Sequence, residues 1–325
     1  MKMKNERQGC TKSIFPDHRA GKVFAFAVLV VASFSYAHPN ASQRRGASTA
    51  PPAKFLTVTT EPNAIVWIDD VRRGVTDAGG KLELTNVSAG RHVLRVRAKG
   101  FREVSTPLLP GRRTIAVKLA PTNDQAELTF QQAEEAREKA RDDAARQQAG
   151  QLYRDALKLR PAHAAAHVGL ARVLLDLNQY REALSEIDAA RRARSVFPEA
   201  SAVEGRINRE AAFTEDAIES FRRAIREGRG FQPEAHVGLA RVFEDNSRYE
   251  EAIVELRKAI DQLSDSEPVI YQMLGAAYER VNKPKEAVAA YEKYLLLAPN
   301  GSYAAAIRSI IDQLRRDAAG QEIIP

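Results

Sequence analysis

Cysteine is almost missing from this chain: Cys10 is the only one in 325 residues. No intrachain disulfide, thiolate metal site or Cys-x-x-Cys redox pair can form, which excludes a disulfide-stapled secreted fold. Catalytic signatures are missing too. The sequence has no G-x-S-x-G, no Walker loop, no G-x-G-x-x-G and no cysteine nucleophile. No convergent polar constellation suggests catalysis or a cofactor, so a non-enzymatic protein with no cofactor, catalytic residue or resident metal is expected. No apolar run reaches the roughly 18–20 residues of a comfortable membrane span. The net charge of +7 is not spread over the chain. Residues 54–119 hold twelve basic and six acidic groups, a surplus of +6, whereas 120–325 hold 29 and 34, a balance of −5. The basic pI near 9.5 therefore carries no argument for nucleic acid. With 28% charged and 44% hydrophobic residues, the composition is that of a globular chain of two or more domains.

Six basic residues from Lys2 to Lys22 precede the apolar run Val23–Ser35, and Ser35-Tyr36-Ala37 follows it. This is the order of an export signal, covering 1–37. Cleavage leaves a periplasmic or cell-envelope protein without a thiol; retention leaves an inner-membrane anchor. Cys10 stands before the apolar run, where a lipidation signal needs it after. Residues 38–53, rich in Ala, Ser and Pro, read as a disordered tether.

Between 54 and 120 turn glycines recur about every ten residues (Gly74, Gly79-Gly80, Gly90, Gly100, Gly111). Short runs between them alternate with period two. Leu56 and Val58 share one face, as do His92, Leu94, Val96 and Ala98, and Ile115, Val117 and Leu119. The pattern predicts a small antiparallel β-sandwich, with Trp67 expected in its core. At this size the core is marginal. The opposite face carries Arg95, Arg97 and Lys99, with Arg102, Arg112 and Arg113 nearby. Two readings stand for it: contact with an anionic envelope polymer or lipid headgroups, or solvated charge that guards a sheet against aggregation.

The segment Leu56-Thr57-Val58-Thr59-Thr60-Glu61-Pro62-Asn63-Ala64, then Asp69-Asp70, Gly74, Val75-Thr76, Gly90-Arg91-His92 and Gly100-Phe101, resembles the PEGA domain. Asn63 replaces the family's glycine, Asp70 stands where glycine is common, and Val75-Thr76 replaces Thr-Pro. Asparagine tolerates a positive φ, so the first change is mild. The resemblance implies an extracytoplasmic β-sandwich module of envelope proteins and implies no enzyme.

After Pro121 the pattern turns helical, with Asn123 or Asp124 available as a cap. One alanine recurs as Ala149, Ala183, Ala217, Ala252 and Ala287, at intervals of 34, 34, 35 and 35. Seven residues on stand Ala156, Ala190, Ala224, Ala259 and then Tyr294; four residues on stand Tyr153, Ile187, Phe221, Leu256 and Tyr291. Tyr271-x2-Leu274-Gly275-x2-Tyr278, Ala287-x3-Tyr291 and Pro299 resemble the tetratricopeptide repeat, whose period is 34. The expected architecture is thus mixed: a PEGA-like sandwich followed by an all-α solenoid of about five repeats over 124–301. The copy at 198–231 departs, with Glu204 and Asn208 at apolar positions. Pro198, Pro233 and Pro268 fall where helices start. An amphipathic segment, 302–319, is expected to cap the array through Tyr303, Ala306, Ile307, Ile310, Ile311 and Leu314.

In such arrays the first helix of each repeat lines a concave groove. Arg172, Arg206 and Arg241 hold equivalent positions there, and Arg209 adds a fourth guanidinium. A row of this kind suits an acidic peptide or protein segment. The competing reading is self-neutralisation, since Asp176, Glu210 and Asp245 follow the three arginines by four residues. His163 and His167 have metal-compatible spacing but no third ligand, and His236 repeats His167, which points to packing. Asp69-Asp70 reads as a hairpin turn and Asp142-Asp143 as a helix junction. Two functions remain. One is an exported interaction scaffold with the β domain docked in the envelope. The other is an envelope-polymer or membrane-surface binder acting through the basic β domain. Neither involves nucleic acid.

Overall fold

The computed structural model of the chain describes residues 55–69, 71–85, 87, 90–263 and 267–321. The export segment 1–37, the tether 38–53 and Asp70 lie outside them. Among the described residues no helix is long and apolar enough to cross a membrane.

Seven strands come first: β1 (Phe55–Thr59), β2 (Ile65–Ile68), β3 (Val71–Val75), β4 (Lys81–Thr85), β5 (His92–Arg97), β6 (Val104–Leu108) and β7 (Thr114–Ala116). They form two sheets, ordered β4-β1-β7 and β3-β2-β5-β6. Leu56, Val58 and Ile115 of the first sheet meet Val66, Ile68, Leu94 and Val96 of the second in one core. The alternation read from the sequence is therefore the alternation of a two-sheet sandwich. Two expectations are corrected. The sandwich is not wholly antiparallel, because β7 runs parallel to β1, with Val58 opposite Ile115. The chain crosses from an edge of one sheet to an edge of the other, and only a crossover, not a hairpin, delivers parallel neighbours. Trp67 is not in the core. Val66 and Ile68 are buried in it, so period two turns Trp67 to the opposite face.

The turn after β1 is built by side chains. Asn63 has φ 56°. The buried Thr76 hydroxyl donates to the Glu61 carbonyl at 2.7 Å and accepts from the Ala64 N–H at 2.8 Å. Gly80 has φ +73°, and a Cβ there would lie 2.0 Å from the Thr60 carbonyl oxygen. Asp69 closes the β2–β3 corner: its carboxylate accepts from the Val93 N–H at 2.8 Å and also meets His92 Nδ1.

Five helix pairs follow: α1 (Gln125–Lys139) with α2 (Asp143–Leu159), α3 (Ala164–Asp176) with α4 (Tyr180–Ala193), α5 (Pro198–Glu210) with α6 (Thr214–Glu227), α7 (Pro233–Asp245) with α8 (Tyr249–Leu263), and α9 (Pro268–Arg280) with α10 (Pro284–Leu297). A last helix, α11 (Ala304–Gln321), closes the order. Asp124 caps α1 and Asp142 caps α2. The five recurring alanines have no exposed surface. Phe221 shows why the small and large positions alternate. Its ring fills the space beside two glycines: a Cβ at Gly205 would lie 2.7 Å from it and one at Gly238 2.3 Å. Tyr153 against Gly169 and Tyr291 against Gly275 repeat the arrangement.

The third pair holds its polar residues in a network. Glu204 takes Arg191 at 3.2 Å and also Arg223. Asn208 donates to Ser220 Oγ at 3.3 Å. Buried polar groups are tolerated when each finds a partner. Along α11, Ala304, Ile307 and Ile311 are buried, whereas Tyr303 is exposed. Tyr303 precedes the helix and so lies off the expected stripe.

Candidate partner-binding groove

The first helices of successive pairs approach one another, α1 with α3, α3 with α5 and α5 with α7, along the inner side of the array. Arg172, Arg206, Arg209 and Arg241 lie on these helices and line one cavity. Their partners are not the acids four residues on. Arg172 Nη1 meets Glu199 of α5 at 2.6 Å, Arg206 reaches Glu234 of α7 at 4.0 Å, and Arg209 Nε meets Asp245 of α7 at 2.7 Å. Arg172 and Arg206 lean toward the N-termini of their helices and so meet the first turn of the next first helix, whereas Arg209 meets the last residue of α7. The neutralising pairs thus run between repeats. Arg241 is the exception. Asp245 is engaged by Arg209, and the position matching Glu199 and Glu234 is Val269. Among the described residues Arg241 makes no ion pair, and it is exposed.

The Arg172 pair is largely buried, with side-chain exposures of 17% and 19%. Burial pushes the Glu199 carboxyl up, but Arg172, reinforced by Arg95 and Arg97, brings it down to about 2. Burial likewise opposes ionisation of Glu134, and Arg137 and Arg97 hold its pKa below the usual carboxylate range. Arg206 is looser, with 44% of its side chain exposed.

This inner face is not open. The β-sandwich sits on it. The Gln131 amide of α1 accepts from the Gly100 N–H at 2.9 Å and donates to the Phe101 carbonyl at 2.8 Å. Arg97 meets Glu134 at 3.4 Å, Lys99 meets Glu135 at 2.9 Å and Arg72 meets Glu138 at 2.7 Å. Residues 131, 134, 135 and 138 share one helix face. At the other end His92 stands edge-on to Phe231, 6.1 Å between ring centres, and Val71 packs on the apolar cluster of the later repeats. Between these two contacts remains a cavity of about 560 Å³. Its β wall is Trp67, with the Arg95 guanidinium 4.5 Å and that of Arg97 5.2 Å from the ring centre.

Arg95 and Arg97, expected to present a surface to an anionic polymer, instead face the helices. Their side chains are 13% and 8% exposed, and Glu103 and Glu134 bind Arg97. A sandwich core on one side and a helical array on the other leave Arg95 and Arg97 only the cavity to face, whereas Val93 and Lys99 of the same strand face stay exposed. Lys99 remains exposed but is paired with α1, and Arg102 is exposed outside the cavity. Three histidines of the helical array have partners within it. His163 caps α3 and lies on Phe130, 4.6 Å between ring centres. His167 bonds Glu186 at 2.6 Å and the Pro161 carbonyl at 2.9 Å, and His236 bonds Glu255 at 2.6 Å.

Sequence reasoning missed the glutamates of the Pro198-Glu199 and Pro233-Glu234 pairs. Their signal was a spacing of 27 residues from Arg172 and 28 from Arg206, short of one full repeat. It also missed Trp67, for which the alternation of Val66 and Ile68 was signal enough.

Tetratricopeptide repeat models match residues 140–207, 203–268 and 268–300. No curated protein sequence matches the chain. Among solved structures, PilW, a widely conserved type IV pilus biogenesis factor, is 14% identical over 60% of this chain and 93% of its own, with a TM-score of 0.50. MamA is 22% identical over 53% of this chain and 92% of its own, TM-score 0.41. YrrB, a tetratricopeptide repeat protein with an unusual peptide-binding site, is 17% identical over 58% and 94%, TM-score 0.41. At 14% identity the likeness to PilW is one of fold alone.

Proposed function

Because residues 140–300 are tetratricopeptide repeats, we propose that this chain is a non-enzymatic scaffold that binds an acidic segment of a protein or peptide partner on its inner helical face. The observation that carries this reading is the arginine row, and within it the exposed Arg241, near Glu244 but in no ion pair among the described residues, beside the loosely paired Arg206. Arginine forks there can take carboxylates without first breaking a buried pair. The charged order of residues 1–37 supports export, and the PEGA-like residues support a β module that works in the cell envelope. The reading that placed an anionic polymer or lipid on the β region loses Arg95 and Arg97, which face the helices.

The test is affinity capture from an envelope extract with the full chain and with the Arg206→Glu/Arg241→Glu variant as baits. Arg172 is left intact because its buried pair holds two repeats together. A client recovered by the first bait and lost by the second supports the groove. The same set on both baits refutes it.

A further inference from the structure

We propose that the end of the β-sandwich where the chain enters it is a docking surface for an anionic phospholipid bilayer, with Arg91, Arg112 and Arg113 as its charge and Phe55 and Leu109 as its apolar contact. None of the five lines the cavity on the inner helical face, so this surface is separate from the groove.

Strand register brings the five residues together. β7 runs parallel to β1 with Thr57 opposite Thr114, which sets Phe55 level with Arg112. The Thr57 N–H donates to the Arg113 carbonyl at 2.8 Å, and the Arg113 guanidinium stands 5.9 Å from the centre of the Phe55 ring. In the other sheet His92 pairs with Leu108, which sets Arg91 level with Leu109. Residues 109–113 join the two sheets at this end, and Gly111, at φ +78°, helps to turn them. All five side chains are exposed, Phe55 and Leu109 to 49% each. Phe55 opens β1, so the segment that holds the apolar run Val23–Ser35 joins the sandwich here.

These arginines are uncommitted. Docking on α1 takes up Arg72, Arg97 and Lys99, and Lys81 pairs with Glu83. Arg91, Arg112 and Arg113 make no ion pair among the described residues. Asp69, which register places at this end, is already engaged by His92 and the Val93 N–H. Three bare guanidiniums attract anions of any kind, so the apolar pair decides between them. A hydrated polyanion gains nothing from Phe55 and Leu109. The boundary of a bilayer takes such side chains toward its acyl chains while the arginines stay with the headgroup phosphates. The apolar run points the same way. At most about 70 Å of chain separates Ser35 from Phe55, so a bilayer that keeps the run lies within reach of this end.

The test uses residues 38–325, the chain that cleavage after Ala37 leaves, which keeps every described residue and lacks the apolar run. Flotation reads binding to vesicles of phosphatidylcholine alone and of phosphatidylcholine mixed with phosphatidylglycerol; anisotropy reads binding of labelled polyphosphate. The expected result is binding to the mixed vesicles that falls as salt rises, and none to the neutral ones. Arg91→Glu/Arg112→Glu/Arg113→Glu should weaken it about a hundredfold or more, from roughly fivefold for each arginine at an anionic membrane surface. Arg112→Gln and Arg113→Gln, milder changes at exposed sites, should each cost roughly fivefold. Leu109→Ser should weaken vesicle binding and leave polyphosphate untouched. Arg102→Glu/Lys118→Glu reverses exposed charges at the other end of β7, where the Arg102 N–H donates to the Ala120 carbonyl at 2.8 Å. It should change vesicle binding no more than about twofold, since salt screens charges held more than a Debye length from the headgroups. No binding to the mixed vesicles overturns the proposal. A loss in Arg102→Glu/Lys118→Glu that matches the triple variant charge for charge shows attraction by net charge alone and overturns it as well. Polyphosphate that binds as tightly, with vesicle binding indifferent to Leu109→Ser, shows a plain polyanion site and does the same.

Discussion

Gly238→Ala should change the sign of its effect with the residue at position 221. Gly238 lies inside α7, and a Cβ added there would come within 2.3 Å of the Phe221 ring. Phe221 is fully buried and already presses on Gly205, at 2.7 Å, so it has nowhere to retreat. Overpacking of this kind costs about 1–3 kcal/mol. Replacing glycine by alanine in a helix interior returns about 1 kcal/mol. In the native background the substitution should therefore destabilise by about 0–2 kcal/mol. Phe221→Ala alone should cost about 3–5 kcal/mol. In that background the ring is gone, the new methyl enters a void, and Gly238→Ala should stabilise by about 1 kcal/mol. The coupling is the difference, about 1–3 kcal/mol. Urea denaturation followed by far-UV circular dichroism measures all four corners of the cycle, with Trp67 emission following the β region separately. An equal effect of Gly238→Ala in both backgrounds would falsify the claim that Phe221 dictates glycine at 238.

Glu199→Gln should destabilise the array by about 3–5 kcal/mol, because it strands the buried Arg172 charge, and Arg172→Met/Glu199→Met should recover much of this in the same urea assay. The Glu199 pKa is depressed, so the pair's stabilisation is present above the unfolded value of about 4.3 and lost as pH falls toward 2. Acid titration of the wild type should show this loss, and Glu199→Gln should not. His167 behaves in the opposite sense. Burial presses its pKa down, but the Glu186 carboxylate and the Pro161 carbonyl outweigh that and raise it. Its contribution is full below the unfolded value of about 6.5 and disappears as pH rises through the folded pKa. The stability gap between wild type and His167→Ala should thus narrow from pH 5.5 to pH 9, and an unchanged gap would refute the pairing. Gly80→Ala should destabilise the β region by at least about 2 kcal/mol, from a left-handed φ and a clash with a backbone carbonyl that cannot rotate away. Trp67 emission during unfolding reads it.

The repeats were legible because their packing rule is local. A buried alanine, a large residue one turn on and a glycine on the facing helix recur at a spacing that counting alone detects. The strand faces were legible for the same reason. What period two assigns is a pair of faces, not their surroundings. Arg95 and Arg97 were correctly placed opposite Leu94 and Val96, yet nothing local says whether that face meets water or α1. Their destination is fixed by Gln131, Glu134, Glu135 and Glu138, some thirty to forty residues on. Arg241 was legible as a member of a row. That Asp245 does not pair with it was not, since that depends on Arg209 claiming Asp245 from another helix.

A solenoid of stacked repeats behaves as a spring, its curvature the sum of small rotations at each junction. The sandwich that reaches from α1 to Phe231 fastens two coils of that spring to a single stiff plate. The junctions between those coils are then links of a closed chain. None can turn alone: a rotation at one is shared by the others or the clasp at α1 gives way.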